Sequence, residues 1–274
     1  MRHLSGMMIS LLASVCAAIT PGAAEAAKPV AVIELFTSEG CSSCPPADAL
    51  LTKLIREHEA AGDLIALSFH VDYWDRLGWK DPWSSAAATA RQQWYANRLG
   101  SSLYTPQMVL NGNDEFVGSD AERARARIAA ALKSTPRWTL AVEVTSGAKE
   151  NEIAVHAKTE RADGASKSSD KAPDVVVAIV ERGLTSSVRR GENAGRTLSH
   201  DNVVRAFKVF AANAKEPRVL ELPQDLKREN ASVVVLAQEA SGVIVAAKLL
   251  PLPATKPATP EKAPDEPRDP ETRK

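Results

Sequence analysis

The sequence predicts an α/β fold: a mixed sheet covered by helices, followed by a β-rich second half. Three observations predict it: strand and helix patterns that alternate before residue 134, an Asn-Gly turn within that region, and period-two strands after residue 137. A strand-helix-strand start favours a parallel pair, whereas an Asn-Gly hairpin adds antiparallel strands. The first half should therefore build a sheet of both kinds.

The elements of the first half follow the order β-α-β-α-β-β-α. Residues 30–36 form a nearly continuous apolar run, which is typical of a strand buried on both faces. Residues 47–61 carry leucines on one helical stripe, and Gly62 marks the end of that helix. We expect the remaining elements to be a strand at 64–71, a helix at 84–99, a strand pair at 106–111 and 115–117, and a helix from Ser119 or Asp120 to about 133. This is the element order of thioredoxin.

The second half alternates apolar and polar residues from Trp138 onward. Further strands are predicted around 153–155 and at 175–181, 203–210, 218–222, 233–238 and 243–249. Short strands spaced in this way are typical of a β-sandwich. We therefore expect a thioredoxin-like domain over residues 28–134 and a β-sandwich-like domain over 137–250. Residues 251–274 are rich in proline and charge, and are predicted to be a disordered tail.

The N-terminus has the pattern of a signal peptide over residues 1–26. Arg2 and His3 precede an apolar stretch at 7–19, and Ala24-Glu25-Ala26 offers a small-x-small cleavage site. We expect an exported protein, periplasmic or secreted, without a membrane span after cleavage, because no later apolar run is long enough. Lipid attachment at Cys16 is a less favoured alternative, since the residue before it is not small.

Charge gives no case for nucleic acid or anionic lipid as a partner. The chain has 34 basic and 34 acidic residues, so its formal charge is zero.

The cysteines carry the main chemical prediction. Of three in the chain, Cys16 falls in the signal peptide, which leaves Cys41 and Cys44 spaced Cys-x-x-Cys at the start of the first helix. A single pair is too little for a disulfide scaffold. We predict a redox pair in which an outward-facing Cys41 attacks and Cys44 resolves the mixed disulfide. An inert disulfide and half of a metal site are the alternatives.

The redox prediction needs no cofactor beyond the pair itself. Its partners would be protein thiols or disulfides, or a small thiol. Pro106 directly precedes the third predicted strand, where a cis Thr105–Pro106 bond would expose backbone groups to an extended substrate. Glu34 interrupts the first apolar strand, and as a buried carboxylate it is a candidate to pass protons to Cys44. Its alternative is a strand-end carboxylate that faces solvent or pairs with a base such as Lys53 or Arg56.

A tryptophan-rich loop follows the second predicted strand, and Trp74 and Trp79 in it are candidate substrate-binding residues. The alternative is a loop that packs on itself. His70 and Asp72 could complete a tetrahedral metal set with the two cysteines, but no spacing demands it, so we predict no metal site.

A polar cluster at residues 189–202 is the dense charged segment of the second half. Its glycines indicate a shaped loop. Arg196, His200 and Asn202 are candidates to contact the Cys41 region if the two halves pack face to face. The alternative is a solvated hairpin.

Several long motifs resemble an uncharacterised family of exported bacterial proteins with a thioredoxin-like domain. They are Glu34 through Asp48, His70 through Trp74, Gly78 through Pro82, Tyr104 through Met108 and Gly191 through Arg196. The resemblance covers about residues 30–250. Through the wider thioredoxin-like superfamily it implies roles for Cys41, Cys44 and Pro106 only. The tryptophan-rich loop and the β-rich half have no counterpart in simple thioredoxins, so the substrate class stays open.

Overall fold

The structure is a computed structural model, and it describes residues 28–162 and 171–254. The predicted signal peptide lies outside these residues, as does the tail beyond residue 254. Within the described part, no helix is both long and apolar enough to cross a membrane.

The described residues form three α-helices, thirteen strands and two short 3-10 turns. The helices are α1 (Pro45–His58), α2 (Ala86–Leu99) and α3 (Ala121–Ala131). The strands of the first half are β1 (Ala31–Thr37), β2 (Leu64–His70), β3 (Gln107–Leu110) and β4 (Asp114–Val117). Those of the second half are β5 (Trp138–Ser146), β6 (Glu152–Arg161), β7 (Asp174–Glu181), β8 (Leu184–Ser187), β9 (Thr197–His200), β10 (Val203–Phe210), β11 (Arg218–Glu221), β12 (Ala231–Gln238) and β13 (Ile244–Pro251).

The predicted α/β class and the order β-α-β-α-β-β-α of the first half are confirmed. β1 pairs with β2 in parallel and with β3 antiparallel, and β3 pairs with β4 antiparallel. The Asn-Gly turn joins β3 to β4, with both Asn111 and Gly112 at positive φ. The sheet is mixed, as the combination of crossover and hairpin predicts.

Helices cover both faces of this part of the sheet, and side-chain alternation along β1 decides which residues meet them. Ile33 and Leu35 pack on the face covered by α1 and α3. Val32 and Phe36 pack on the other face, together with Tyr95 of α2.

The second half is not separate from the sheet of the first half. Four of its strands extend the same sheet, whose order is β13-β12-β7-β10-β2-β1-β3-β4. The seam is the parallel contact of β10 with β2, where the Ser68 amide donates to the Asn202 carbonyl over 2.9 Å. One apolar core contains residues of both halves, including Val32 of β1 and Val234 of β12.

A sandwich-like layer is nevertheless present. The sheet β11-β6-β5 packs on β7 and β12 through an apolar core that includes Ile153, Val177 and Val233. The two-layer packing expected for residues 137–250 is therefore built on a sheet that also crosses the expected boundary near residue 135. β8 and β9, which the sequence pattern did not reveal, form a separate hairpin.

Candidate functional site

The two cysteines form a disulfide where the turn after β1 enters α1. Their Cα atoms lie 5.4 Å apart. Cys44 is the residue that precedes α1, and Pro45 is its first residue, as the sequence predicts. Pro45 and Pro46 carry no amide hydrogen, and the amides of Ala47 and Asp48 both donate to the Cys44 carbonyl. The start of α1 therefore offers few free N–H groups to a thiolate.

Both cysteines are fully buried at 0% exposure, which corrects the expectation that Cys41 faces outward. The segment that packs on their turn is the loop of the β8–β9 hairpin, residues 188–196, which we call the cap loop. The Asn193 side-chain amide donates to the carbonyls of Glu39 (2.8 Å) and Cys41 (2.9 Å). The Glu192 carboxylate accepts from the Ser42 amide at 2.9 Å. The second half thus packs against the turn that carries the disulfide.

Arg196 supports the cap loop from within. Its guanidinium donates to the Asn193 side-chain oxygen over 2.9 Å, which directs the Asn193 nitrogen at the two carbonyls. The hydrogen bonds from the Ser42 side chain and amide hold the pKa of the Glu192 carboxyl below its usual range. Glu192 therefore contacts Ser42 as a carboxylate.

Thr105 and Pro106 lie beside the turn that carries the disulfide, and the peptide bond between them is cis, as predicted. The Ser43 hydroxyl lies 3.4 Å from Cys41 Sγ and 3.5 Å from the Thr105 carbonyl oxygen. Trp74 donates its indole N–H to the Thr105 hydroxyl over 2.8 Å, and its Cβ lies so near Gly40 that a Cβ there would be 3.0 Å away. Trp74 therefore contacts both segments that flank the pair.

Five buried titratable side chains lie on the inner side of this turn. We call them the acid–imidazole cluster; none is more than 6% exposed: Glu39, Asp48, His70, Asp81 and His200. Glu39 accepts from Trp79 (2.8 Å), from Ser186 and from His200 (3.2 Å). The indole N–H of Trp79 thereby ties it to Glu39, and its Cβ lies beside Gly191 of the cap loop.

The two histidines join the carboxylates of the cluster. His70 Nδ1 lies 2.7 Å from Asp81 Oδ2, and the ring centroids of His70 and His200 are 4.7 Å apart. His200 Nδ1 lies 3.7 Å from Asp48 Oδ2. His200 is thus brought to the site through Glu39 and Asp48.

Burial and charge shift three pKa values in the cluster. Burial raises the pKa of the Asp48 carboxyl, because it penalises the charged form more than the two histidines favour it. Burial by itself lowers the pKa of His70, but the facing Asp81 carboxylate raises it to a net value above normal. The pKa of Asp81 is lowered despite its burial, chiefly by His70.

Glu34 is not brought to the cysteines. It shares the face of β1 with Val32 and Phe36, opposite α1. Arg91 binds its carboxylate through two hydrogen bonds of 2.5 and 2.6 Å, and Tyr95 donates a third of 2.9 Å. The base that pairs with it is therefore Arg91 of α2, neither Lys53 nor Arg56.

Asn202 and Asp72 also lie apart from the cysteines. Asn202 donates to the Ala66 carbonyl at the seam between the halves. Asp72 accepts from the Thr89 hydroxyl at 2.6 Å. Within residues 28–162 and 171–254, no group of three or more His, Cys, Asp or Glu side chains is arranged to hold a metal ion.

Sequence reasoning missed Glu39, Asp48, Asp81, Glu192 and Asn193. Asp48 carried a signal, because it occupies the buried stripe of α1 between Ala47 and Leu51.

Comparisons with solved structures find the same architecture elsewhere. An Agrobacterium tumefaciens protein is 32% identical with a TM-score of 0.58, covering 82% of this chain and 96% of its own. HBP35 of Porphyromonas gingivalis is 16% identical with a TM-score of 0.61, covering 88% of this chain and 81% of its own, so it shows similarity of fold alone. No curated protein matches the chain. The family model described as "Protein of unknown function (DUF1223)" matches residues 32–238, and the chain therefore belongs to the DUF1223 family.

Proposed function

We propose that this protein is an exported thiol-disulfide oxidoreductase with a thioredoxin-like first half and Cys41–Cys44 as its redox centre. The observation that carries the proposal is the disulfide at the start of α1 beside the cis Thr105–Pro106 bond, with the Ser43 hydroxyl between Cys41 Sγ and the Thr105 carbonyl. A hydroxyl at this distance can stabilise a thiolate on Cys41 by a hydrogen bond. Export rests on the signal-peptide pattern of residues 1–26.

In this proposal Cys41 is attacked by, or attacks, a substrate sulfur, and Cys44 resolves the mixed disulfide. Thr105 and Pro106 would hold an extended substrate backbone, and Trp74 would form the wall beside them. Substrates would be protein thiols or disulfides, or a small thiol. No further cofactor is required, because the electrons pass between sulfur atoms.

The burial of the pair sets a condition on this activity. A substrate sulfur reaches Cys41 only when the cap loop moves and Asn193 releases the Glu39 and Cys41 carbonyls. Those two contacts are ordinary hydrogen bonds worth about 1 kcal/mol each. The loss of these two hydrogen bonds is small compared with the free energy of unfolding of a folded protein, so the cap loop can open without unfolding the rest of the chain.

The same burial favours one second candidate. A disulfide at 0% exposure on both cysteines also suits a binding module without redox activity, in which the pair is structural. Such a disulfide resists reduction, whereas catalytic ones do not.

The reduction potential separates the two candidates. The purified protein is equilibrated in glutathione and dithiothreitol buffers, and the thiol content is read by alkylation. An oxidoreductase should equilibrate between about −120 and about −270 mV, whereas a structural disulfide should stay oxidised below about −300 mV.

Trapping gives an independent result. Cys44→Ser should leave Cys41 joined to a thiol partner in cells, and Cys41→Ser is the matched control that should trap nothing by this route. A potential below about −300 mV together with no trapped partner would reject the oxidoreductase proposal.

A further inference from the structure

We propose that Asp48 exchanges a proton with the Cys44 thiol and that His200 is the next group along the same proton path. This inference rests on the oxidoreductase function proposed above. The sequence offers Glu34 of β1 as a candidate for passing protons to Cys44. The inference assigns that role to Asp48 of α1 and His200 of β9 instead.

Position on the helix places Asp48 beside Cys44. Cys44 has helical φ and ψ, and the Asp48 amide donates to its carbonyl over 3.1 Å. Side chains four residues apart on a helix are neighbours on the same face. Both residues are buried, so the carboxyl and the sulfur share the water-poor interior behind the cap loop.

Asp48 differs from the other acids of the cluster in that part of its carboxyl is unused. Its Oδ1 atom is buried and has no hydrogen bond of ordinary geometry with any described residue, although the Thr37 hydroxyl faces the carboxyl. Glu39, by contrast, is held by Trp79, Ser186 and His200. Burying a charged carboxyl oxygen without a hydrogen-bond partner costs free energy, and that cost is smaller when the carboxyl is protonated.

His200 supplies the continuation. A carboxylate only accepts hydrogen bonds, so the His200 Nε2 atom donates to Glu39 Oε1 at 3.2 Å. A neutral ring then presents a lone pair on Nδ1, which lies 3.7 Å from Asp48 Oδ2 and has no hydrogen-bond partner among the described residues. This atom is therefore placed to exchange a proton with Asp48.

The groups that face Asp48 come from every neighbouring element. They are His200 of β9, His70 of β2, Asp81 of the loop before α2, and the Thr37 hydroxyl of β1. Burial, with Asp81 adding to it, raises the pKa of the carboxyl, and the two histidines and Thr37 oppose that rise. A carboxyl that holds its proton closer to neutral pH is better suited to proton exchange there.

The proton balances the sulfur chemistry in both directions. When a substrate thiolate attacks Cys41 Sγ, the Sγ–Sγ bond breaks, a substrate–Cys41 disulfide forms, and Cys44 leaves with the electron pair and takes the Asp48 proton. In reverse, the Asp48 carboxylate takes the Cys44 proton, and the resulting thiolate attacks Cys41 and releases the substrate thiolate. The substrate thiol is the reductant in the first case, and the substrate disulfide is the oxidant in the second.

An equilibrium measurement on the unaltered protein tests the coupling. The carboxyl-carbon NMR signal of Asp48 is titrated in the oxidised protein and again after reduction by dithiothreitol. A Cys44 thiol that shares the proton should move the Asp48 midpoint by about one pH unit or more between the two states, the size at which two sites titrate as a pair. Equal midpoints in the two states would overturn the proposal.

A kinetic measurement tests the role. Reduced protein is oxidised by oxidised glutathione across a range of pH, in the wild type and in Asp48→Asn. The variant should react at least about tenfold more slowly near neutral pH and should lose the inflection of the wild-type profile. The matched control is Asp201→Asn, because Asp201 contacts α1 one turn further on, through Thr52, outside the acid–imidazole cluster.

The outcomes separate this inference from the function beneath it. If Asp48→Asn keeps the wild-type rate and pH profile, Asp48 is not the proton-exchange group, although the oxidoreductase function stands. If the wild-type pair exchanges with neither glutathione nor dithiothreitol, the oxidoreductase function itself fails.

Discussion

At the scale of single residues, Glu34 is the buried acid that holds α2 against β1. The carboxylate is buried as expected, but it accepts hydrogen bonds from Arg91 and Tyr95, which both belong to α2. Gln238 of β12 also contacts Arg91 and Tyr95. Glu34 therefore ties α2 to β1 through its ion pair with Arg91. Gln238 links the same pair to the second half of the sheet.

Breaking this pair should destabilise the protein. Arg91→Met leaves the Glu34 charge buried and should lower the free energy of unfolding by about 3–5 kcal/mol. Glu34→Leu should lower the free energy of unfolding by a similar amount, because it leaves the Arg91 charge buried without its partner. The double variant, with both charges removed, should cost clearly less than the sum of the two, as measured by urea unfolding. Strict additivity would show that the two charges do not interact.

A second residue-scale prediction concerns pH and His70. Because its folded pKa is raised above the usual 6.5, His70 contributes stability that is complete below that value and is lost as pH rises through the folded pKa. Asp81 has a lowered pKa, so its contribution is lost only as pH falls below about 3.8.

Urea unfolding at several pH values checks the sign. Between about pH 6 and about pH 9, the wild type should lose stability more steeply than His70→Gln, which lacks the titrating ring. Asp48 also lowers stability as pH rises, and because His70 opposes the rise of the Asp48 pKa, the difference between the two proteins reports His70 together with its coupling to Asp48. Parallel curves would contradict the assignment.

At the scale of elements, the β8–β9 hairpin packs on the turn that carries the pair. Asn193→Ala removes both hydrogen bonds from the cap loop to the carbonyls of Glu39 and Cys41. At about 1 kcal/mol each, their loss should increase the open population, and with it the rate of reduction by dithiothreitol, roughly 30-fold.

The matched control for the cap loop is Arg190→Ala, because Arg190 is an exposed residue of the same loop. It should leave the reduction rate at the wild-type value. If Asn193→Ala is reduced no faster than this control, exchange does not pass through opening of the cap loop.

At the scale of the whole molecule, the sheet makes one cooperative unit of two sequence halves. The apolar core on the α2 face takes side chains from β1, β2, β7 and β12. We therefore expect a single calorimetric transition whose measured and van't Hoff enthalpies agree. Residues 28–134 expressed alone should not fold stably, since β2 would lose β10 and the core would lose β7 and β12. Two separate transitions would contradict the shared core.

The sequence predicted local elements well and distant pairing poorly. The predicted bounds 203–210 match those of β10, because the pattern that predicts a strand lies within the residues of the strand itself. That β10 pairs with β2 was not visible, since Val203 meets Ser68 through geometry that no local pattern encodes.

The site divides in the same way. Cys41, Cys44 and the cis Thr105–Pro106 bond follow from nearby motifs. Asn193 does not, because a side chain that bonds a remote carbonyl leaves no periodic signal. The polar cluster of residues 189–202 indicated only that this segment reaches the cysteines.

The cap loop has a consequence for the order of events as the chain is made. Asn193 follows Cys41 by 152 residues, so the pair is synthesised long before its cover exists. Oxidants and reductants reach both sulfurs freely on the incomplete chain, and closure of the hairpin then slows further exchange. We expect the pair to exchange faster on the incomplete chain than in the folded protein, where each exchange waits for the cap loop to open.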